Sequence, residues 1–364
     1  MYPLFFHIFV KTIKMINSVR NTVLAVLNKN NYGYISPQDY NLYAKQSQME
    51  LFEEYFDRYN KAINAENARL SGTDYADIIK PIAEAMEYFL MKTNLLNGLI
   101  GGVGTAGNVF FLPSLLTTGD SSYKVNTITT YPIVLARGTN TGIGLVNVLT
   151  DASANFIQSG VKVGDIVVNL TLINLPQAPG FYNYTVTVTA IIDQFRLQLS
   201  DDLFNNTVGN DYAVISAETS AEAEKITDSR IFMLNKSNLT APSSVFPAYV
   251  LSNSLEYYYG TSNIPRIALY PKTIDTYGQV VCTYFRYPKD PKWTYITLFN
   301  GEPAFDQSQV DYQDFELPIE DEPKLVMKIL QYCGMSIREI EVAQFGIVQE
   351  QQAQTTFSTT LTKL

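Results

Sequence analysis

Tyr284-Phe285-Arg286-Tyr287-Pro288-Lys289-Asp290-Pro291-Lys292-Trp293 holds the only tryptophan of the chain and marks the point where its texture changes. Pro288 and Pro291 remove two backbone donors and push Tyr287 and Asp290 toward extended geometry. The stretch is too stiff, too aromatic and too charged for an ordinary strand, so it closes a β-rich middle and hands the chain to a helical end. Lys289 and Lys292 flank the turn, with Trp293 as an amphipathic anchor. This reads as a segment that presents a surface, not one that holds a catalyst.

Working outward, the two ends read as helical. Ile16, Val19, Val23 and Leu27 keep helical spacing until Asn30-Asn31-Tyr32-Gly33. Ser36-Pro37-Gln38-Asp39 is a start signal: Ser36 caps, Pro37 suits the first helical position, and Asp39 meets the positive end of the dipole. The helix it opens predicts an apolar face of Met49, Phe52, Phe56, Tyr59 and Ile63. A third helix follows through Ile78, Ile82, Met86 and Phe89, with Pro81 at a kink or first turn. Near the other end Leu325, Val326, Ile329, Leu330 and Cys333 share a face and Gly334 is a plausible stop. Ser336-Ile337-Arg338-Glu339 then reads as a capping box opening a last helix.

Between these ends the chain is rich in Gly, Thr, Val and Asn. Candidate strands are Val109–Leu112, Ile133–Ala136, Gly144–Leu149, Asp165–Leu170, Tyr184–Ile192 and Arg196–Leu199, with a short helix and tight turn over Asn155–Asp165. The second β-rich portion includes residues 266–271 and 278–287. The expected fold class is α+β: a helical body from the N- and C-terminal segments, with small β-barrel or sandwich domains inserted. The expected divisions are an apolar extension over 1–14, a helical segment over 15–97, and an inserted β domain over 98–230. A second β-rich segment over 231–318, C-terminal helices over 319–350 packing on the N-terminal ones, and a Gln/Thr-rich tail over 351–364 complete it.

At 364 residues the chain is long enough for two or three cores. Charged residues make up 17%, below the roughly one quarter of typical globular chains, while tyrosine reaches 25. That balance suits surfaces that pack against neighbours, because tyrosine buries area at low entropic cost. The net charge of −9 argues against nucleic-acid binding, although an acidic lumen through which DNA passes is compatible with it. Cys282 and Cys333 form neither a disulfide framework nor a zinc site and are read as reduced and buried. Residues 1–10 are apolar but lack a basic leader and are too short to span a bilayer. No membrane association is expected, and the chain is read as made in a cytoplasm.

Gly102-Val103-Gly104-Thr105-Ala106-Gly107 matches a dinucleotide fingerprint by letter, but the expected order of helix before and strand after is the reverse of what that site needs. We read it as a hinge. His7 is the single histidine, which removes Ser-His-Asp and Cys-His catalysis and most zinc or iron sites. Asp201-Asp202 reads as a turn after a strand, and Glu320-Asp321-Glu322 as the acidic first turn of a helix. Tyr257-Tyr258-Tyr259 reads as a packed strand end, or as a sugar-stacking platform. No catalytic, cofactor or metal residue is assigned. The candidate interface residues are Tyr32, Tyr34, Tyr287, Pro288, Lys289, Asp290, Pro291, Lys292 and Trp293.

Three separated segments carry a family resemblance. They are Asn28–Pro37 running into Leu42–Gln48 and Leu51–Phe56, then Arg286–Trp293, then Asp314-Phe315-Glu316-Leu317-Pro318 leading into Leu325–Ile329 and the Gln-rich tail. In this order they resemble virion structural proteins of crAss-like and related short-tailed phages, which form rings of the neck and tail beneath the portal. The resemblance covers about half the chain, and residues 1–14 depart from it. It implies a non-enzymatic head-to-tail connector, a homo-oligomeric ring of about twelve copies contacting the portal or neighbouring ring and tail proteins. It further implies DNA only as passing cargo and assembly in the bacterial host cytoplasm into the virion. The principal alternative is a receptor- or carbohydrate-binding tail component. A virion-carried hydrolase is a third reading.

Overall fold

A computed structural model describes residues 15–28, 35–68, 79–97, 107–114, 118–142, 146–173, 185–204, 207–252 and 265–337, with short helical fragments at 347–348, 351–352 and 355. Helices α1 (Met15–Asn28), α2 (Pro37–Ala68) and α3 (Ile79–Glu87) precede strands β1 (Leu90–Asn94), β2 (Val109–Phe111), β3 (Ser122–Thr130), β4 (Val134–Thr139), β5 (Val148–Thr150) and β6 (Ile166–Asn169). A single helical turn, α4 (Leu170–Ile173), leads to β7 (Thr185–Asp193), β8 (Arg196–Leu199), β9 (Asp211–Ile215), β10 (Ala221–Glu222) and β11 (Glu224–Lys225). Helix α5 (Asp228–Leu234) precedes β12 (Ala248–Ser252), β13 (Arg266–Tyr270), β14 (Val280–Arg286), β15 (Tyr295–Thr297) and β16 (Pro303–Phe305), and α6 (Glu322–Ile337) follows a single 3-10 turn. The chain is thus mixed helix and sheet. It forms two compact units, one from residues 1–89 with 288–364 and one from residues 90–287.

In the first unit α6 packs against α1 and α2. Ile16, Val19, Val23 and Leu27 of α1 are buried at the spacing the sequence predicts, together with Leu325, Ile329, Leu330 and Cys333 of α6. Asp314 caps α1 from far along the chain, its carboxylate accepting from the Met15 and Ile16 amides at 3.2 and 2.8 Å. Ser36 caps α2, its Oγ accepting from the Asp39 amide at 3.1 Å and donating to the Asp39 carboxylate at 2.7 Å. Removing this cap by Ser36→Ala is expected to cost about 1 kcal/mol, read as a shift in the chemical unfolding midpoint without a change in its slope.

The buried stripe of α2 is rotated from the expected one. Tyr40, Ala44, Ser47, Gln48, Leu51, Phe52, Tyr55 and Ala62 are buried, whereas Met49, Phe56, Tyr59 and Ile63 are only half-buried. Gln48 and Tyr55 enter the stripe because they find partners there, whereas the buried Ser47 hydroxyl makes no hydrogen bond among the described residues. Gln48 donates to the Lys289 carbonyl at 2.8 Å and accepts from the Glu316 amide at 3.0 Å. The Tyr55 hydroxyl donates to the buried Asp321 carboxylate, which also meets Lys324. Lys328, itself buried, lies 3.5 Å from Glu50 and 4.0 Å from Glu54, and Tyr332 donates to Glu50. Gly334 does not stop α6, which runs on to Ile337 and takes Ser336 into its last turn. Arg338 and Glu339 lie outside the described residues.

In the second unit two four-stranded sheets, ordered β1-β14-β3-β10 and β11-β12-β13-β2, share a core of Phe110, Ile128, Ile267, Leu269, Val280 and Cys282 among others. The boundary expected at 230/231 is absent. β3 pairs with β14 along its length, from Thr130 opposite Val280 to Ser122 opposite Arg286, so residues 98–230 and 231–287 belong to one unit, while 288–318, with β15 and β16, belong to the other. Residues 93–97 are not helical, because the β14 edge captures Leu90–Asn94 as a strand, with Thr93 opposite Cys282. The 155–159 segment is a turn, not a helix.

Between β3 and β10 in sequence lies a six-stranded antiparallel sheet, ordered β4-β9-β6-β7-β8-β5, in which the end strands β4 and β5 are not ladder neighbours. Its core holds Leu149, Phe156, Val167, Leu197, Tyr212 and Val214. One polar knot sits beside it. Asp151 is 1% exposed and accepts from the Tyr212 hydroxyl at 2.7 Å, the Ser153 amide at 2.8 Å and the Ser153 hydroxyl at 2.6 Å. The close approach of Gly138 leaves room for that carboxylate, since a side chain there would collide with Asp151 and Tyr212.

Candidate interaction surfaces

The Pro288–Trp293 segment lies in the first unit, strapped to α1 and α2. Trp293 is 2% exposed, and Pro288 and Pro291 are buried. The Arg20 guanidinium stacks 3.8 Å from the centre of the indole, whose other neighbours are the rings of Tyr295 at 5.7 Å and Phe305 at 5.9 Å. The indole N–H donates to Asn17 Oδ1 at 3.1 Å. Asn41 reads the Trp293 backbone twice, accepting its amide at 2.8 Å and donating to its carbonyl at 3.2 Å. Pro-x-x-Pro stiffness thus serves internal packing: the two prolines need no donors where the strap meets the helices, and the tryptophan is an inward anchor.

Only part of the segment faces outward. Lys289, Asp290 and Lys292 are exposed, with Lys45 paired to Asp290 at 2.7 Å and Lys292 paired to Asp311. Such exposed pairs contribute little to stability. Tyr287 belongs to the second unit, half-buried, with its ring edge-on to Tyr123 at 5.2 Å and its amide bonded to the Ser121 carbonyl. Tyr32 and Tyr34 lie outside the described residues, as do His7, the leader over 1–14, Tyr257–Tyr259, most of the Gly102–Gly107 run and the end of the tail.

The carboxylate pairs do not converge on a cleft. Asp201 accepts the Asp202 amide in a turn after β8, while Asp321 and Glu322 are taken up by contacts to Tyr55, Lys324 and Ser18. Among the described residues no group of three or more His, Cys, Asp or Glu is placed to hold a metal ion, and no helix is long and apolar enough to cross a membrane.

Two outward apolar surfaces went unread in the sequence. The first is the β15–β16 hairpin, paired from Tyr295 opposite Phe305 to Thr297 opposite Pro303, with Gly301 at φ 85° in its turn. It exposes Ile296, Leu298 and Phe299. Asn300-Gly301 between alternating apolar residues was the available signal. The second is the end of α5 with the loop to β12, where Ile231 faces inward and Phe232, Met233, Leu239, Val245 and Phe246 face solvent. Leu239 is 94% and Phe246 78% exposed. These apolar residues follow no helical or strand period, so nothing in local spacing distinguishes the segment from a loop that folds inward. No protein-family model matches the chain, and no curated protein matches it.

Proposed function

We propose that this chain is a structural subunit of a short-tailed phage virion, forming a ring of the head-to-tail connector or tail barrel below the portal. The observation that carries the reading is the exposure of large apolar side chains on two surfaces, the β15–β16 hairpin and the segment from the end of α5 to β12. Exposed apolar surface of this extent marks sites of protein association. The segment order that resembles crAss-like phage neck and tail proteins supports the same assignment, as do sparse charge and abundant tyrosine.

In this reading the unit built from the two chain ends is the stiff body of the ring subunit, and the six-stranded sheet is its inserted barrel-like module. Lys289, Asp290 and Lys292 remain candidate contacts to neighbours, with the subunit repeated about twelve times around the axis and DNA passing through. An amber mutation in the encoding gene tests it. The expected result is DNA-filled heads that lack a tail at the portal vertex. Complete particles that fail only to adsorb to cells would instead favour a receptor-binding component.

A further inference from the structure

The two exposed apolar surfaces carry opposite charge. Residues 230–246 contain Arg230 and Lys236, both exposed, and no acidic residue; with the exposed Asp228 that opens the same helix the surface carries two positive charges against one negative. Their apolar side chains stand on a hydrogen-bonded frame: the Ala241 amide donates to the Ser237 carbonyl at 2.9 Å, Thr240 Oγ1 to the Leu234 carbonyl at 2.9 Å, and the Phe246 amide to Ser243 Oγ at 3.2 Å. A surface already ordered in this way loses little freedom on binding. Residues 295–310 contain Glu302 and Asp306 and no basic residue. In the same stretch Ile296, Leu298 and Phe299 are exposed on a hairpin tied at its turn by the Leu298 amide to the Glu302 carbonyl at 2.9 Å, and Val310 is exposed in the loop after β16.

We propose that these surfaces meet head to tail between copies of this chain, residues 230–246 of one copy seating on the 295–310 hairpin of the next. The charges decide against either surface pairing with itself. A two-fold contact would set Arg230 and Lys236 against their own copies, or Glu302 and Asp306 against theirs, whereas a heterologous contact joins unlike charges. The area is of the right size. Each surface offers on the order of 500–700 Å² of apolar side chain, close to the ~800 Å² that each partner contributes to a stable interface. A contact of two different patches repeats from copy to copy, which is the geometry a ring requires. The inference rests on the ring-subunit reading above and names the contact within it.

The test uses two full-length variants, Leu239→Cys and Phe299→Cys, one isotopically labelled, mixed and oxidised. The native Cys282 and Cys333 are buried, with thiols pushed up by burial to about 12, and stay unreactive. The expected result is a disulfide-linked dimer containing one chain of each variant, at least tenfold more abundant than in either variant alone. A companion pair checks charge: Lys236→Glu weakens association at least tenfold, and mixing it with Glu302→Lys restores most of the loss. Equal cross-linking in either variant alone overturns the head-to-tail contact, and so does a chain that stays monomeric at every concentration. So does a disulfide within one chain in the Leu239→Cys/Phe299→Cys double variant. Oligomers that form without this cross-link overturn the contact and leave the ring reading standing. Absence of the protein from particles overturns the ring reading itself.

Discussion

Trp293→Ala is expected to destabilise the helical unit by about 3–5 kcal/mol, the range for deleting a large aromatic from a packed interior. The cavity is only part of the loss. Arg20 is 6% exposed and keeps its guanidinium 3.8 Å from the indole, so truncation also removes the cation–π contact of that ring. Asn17 Oδ1 loses its indole donor at the same time. Trp293→Phe retains much of the stacking with Tyr295 and Phe305 and is expected to lose about half as much. Denaturant unfolding followed by the helical circular dichroism signal reads both. A loss below about 1 kcal/mol for the alanine variant would mean that the strap is held by its Asn41 and Gln48 contacts and not by the ring.

The second large effect is expected in the six-stranded sheet. Asp151→Ala removes the acceptor for Tyr212 and Ser153 in a buried setting and is expected to cost about 3 kcal/mol. Burial alone would raise the carboxyl pKa. The hydrogen bonds from Ser153 and Tyr212 outweigh it and hold the group below the usual carboxylate range, while burial and the bond to Asp151 push the Tyr212 hydroxyl upward. A depressed native pKa contributes stability above the unfolded value, roughly pH 4, and loses it as pH falls through the native value. The gap between the wild-type chain and Asp151→Asn should therefore be full at pH 7 and shrink below about pH 4. A gap independent of pH would show that the charge of Asp151 contributes nothing.

How much of this was legible in the sequence depended on distance along the chain. The α1 stripe, the Ser36–Asp39 start of α2 and the apolar face of α6 were readable because each signal lies within a few turns of helix. The buried face of α2 was not, since Gln48 and Tyr55 are polar and their burial depends on the partners Lys289, Glu316 and Asp321. Thr93–Asn97 looked helical until β14 offered its edge to Leu90–Asn94, and Gly334 looked like a stop although it is buried within α6, where tertiary packing overrides a local penalty of about 1 kcal/mol.

The candidate site divided along the same line. Pro288, Pro291 and Trp293 announced an unusual segment, and the sequence placed it correctly at the end of the β-rich region. Its inward aim depended on Asn17, Arg20 and Asn41, which only the folded chain brings to it. Exposed Phe299 and Phe246 were unreadable for the opposite reason: an apolar residue in a loop is ordinarily expected to turn inward, and in the folded chain these do not.

The most direct test of the virion assignment is to locate the chain in purified phage particles with gold-labelled antibody, imaged before and after mild disruption. Label is expected at the portal vertex, either on intact particles or once disruption uncovers a ring. Label confined to peripheral fibres, or particles that do not contain the protein, would contradict the assignment.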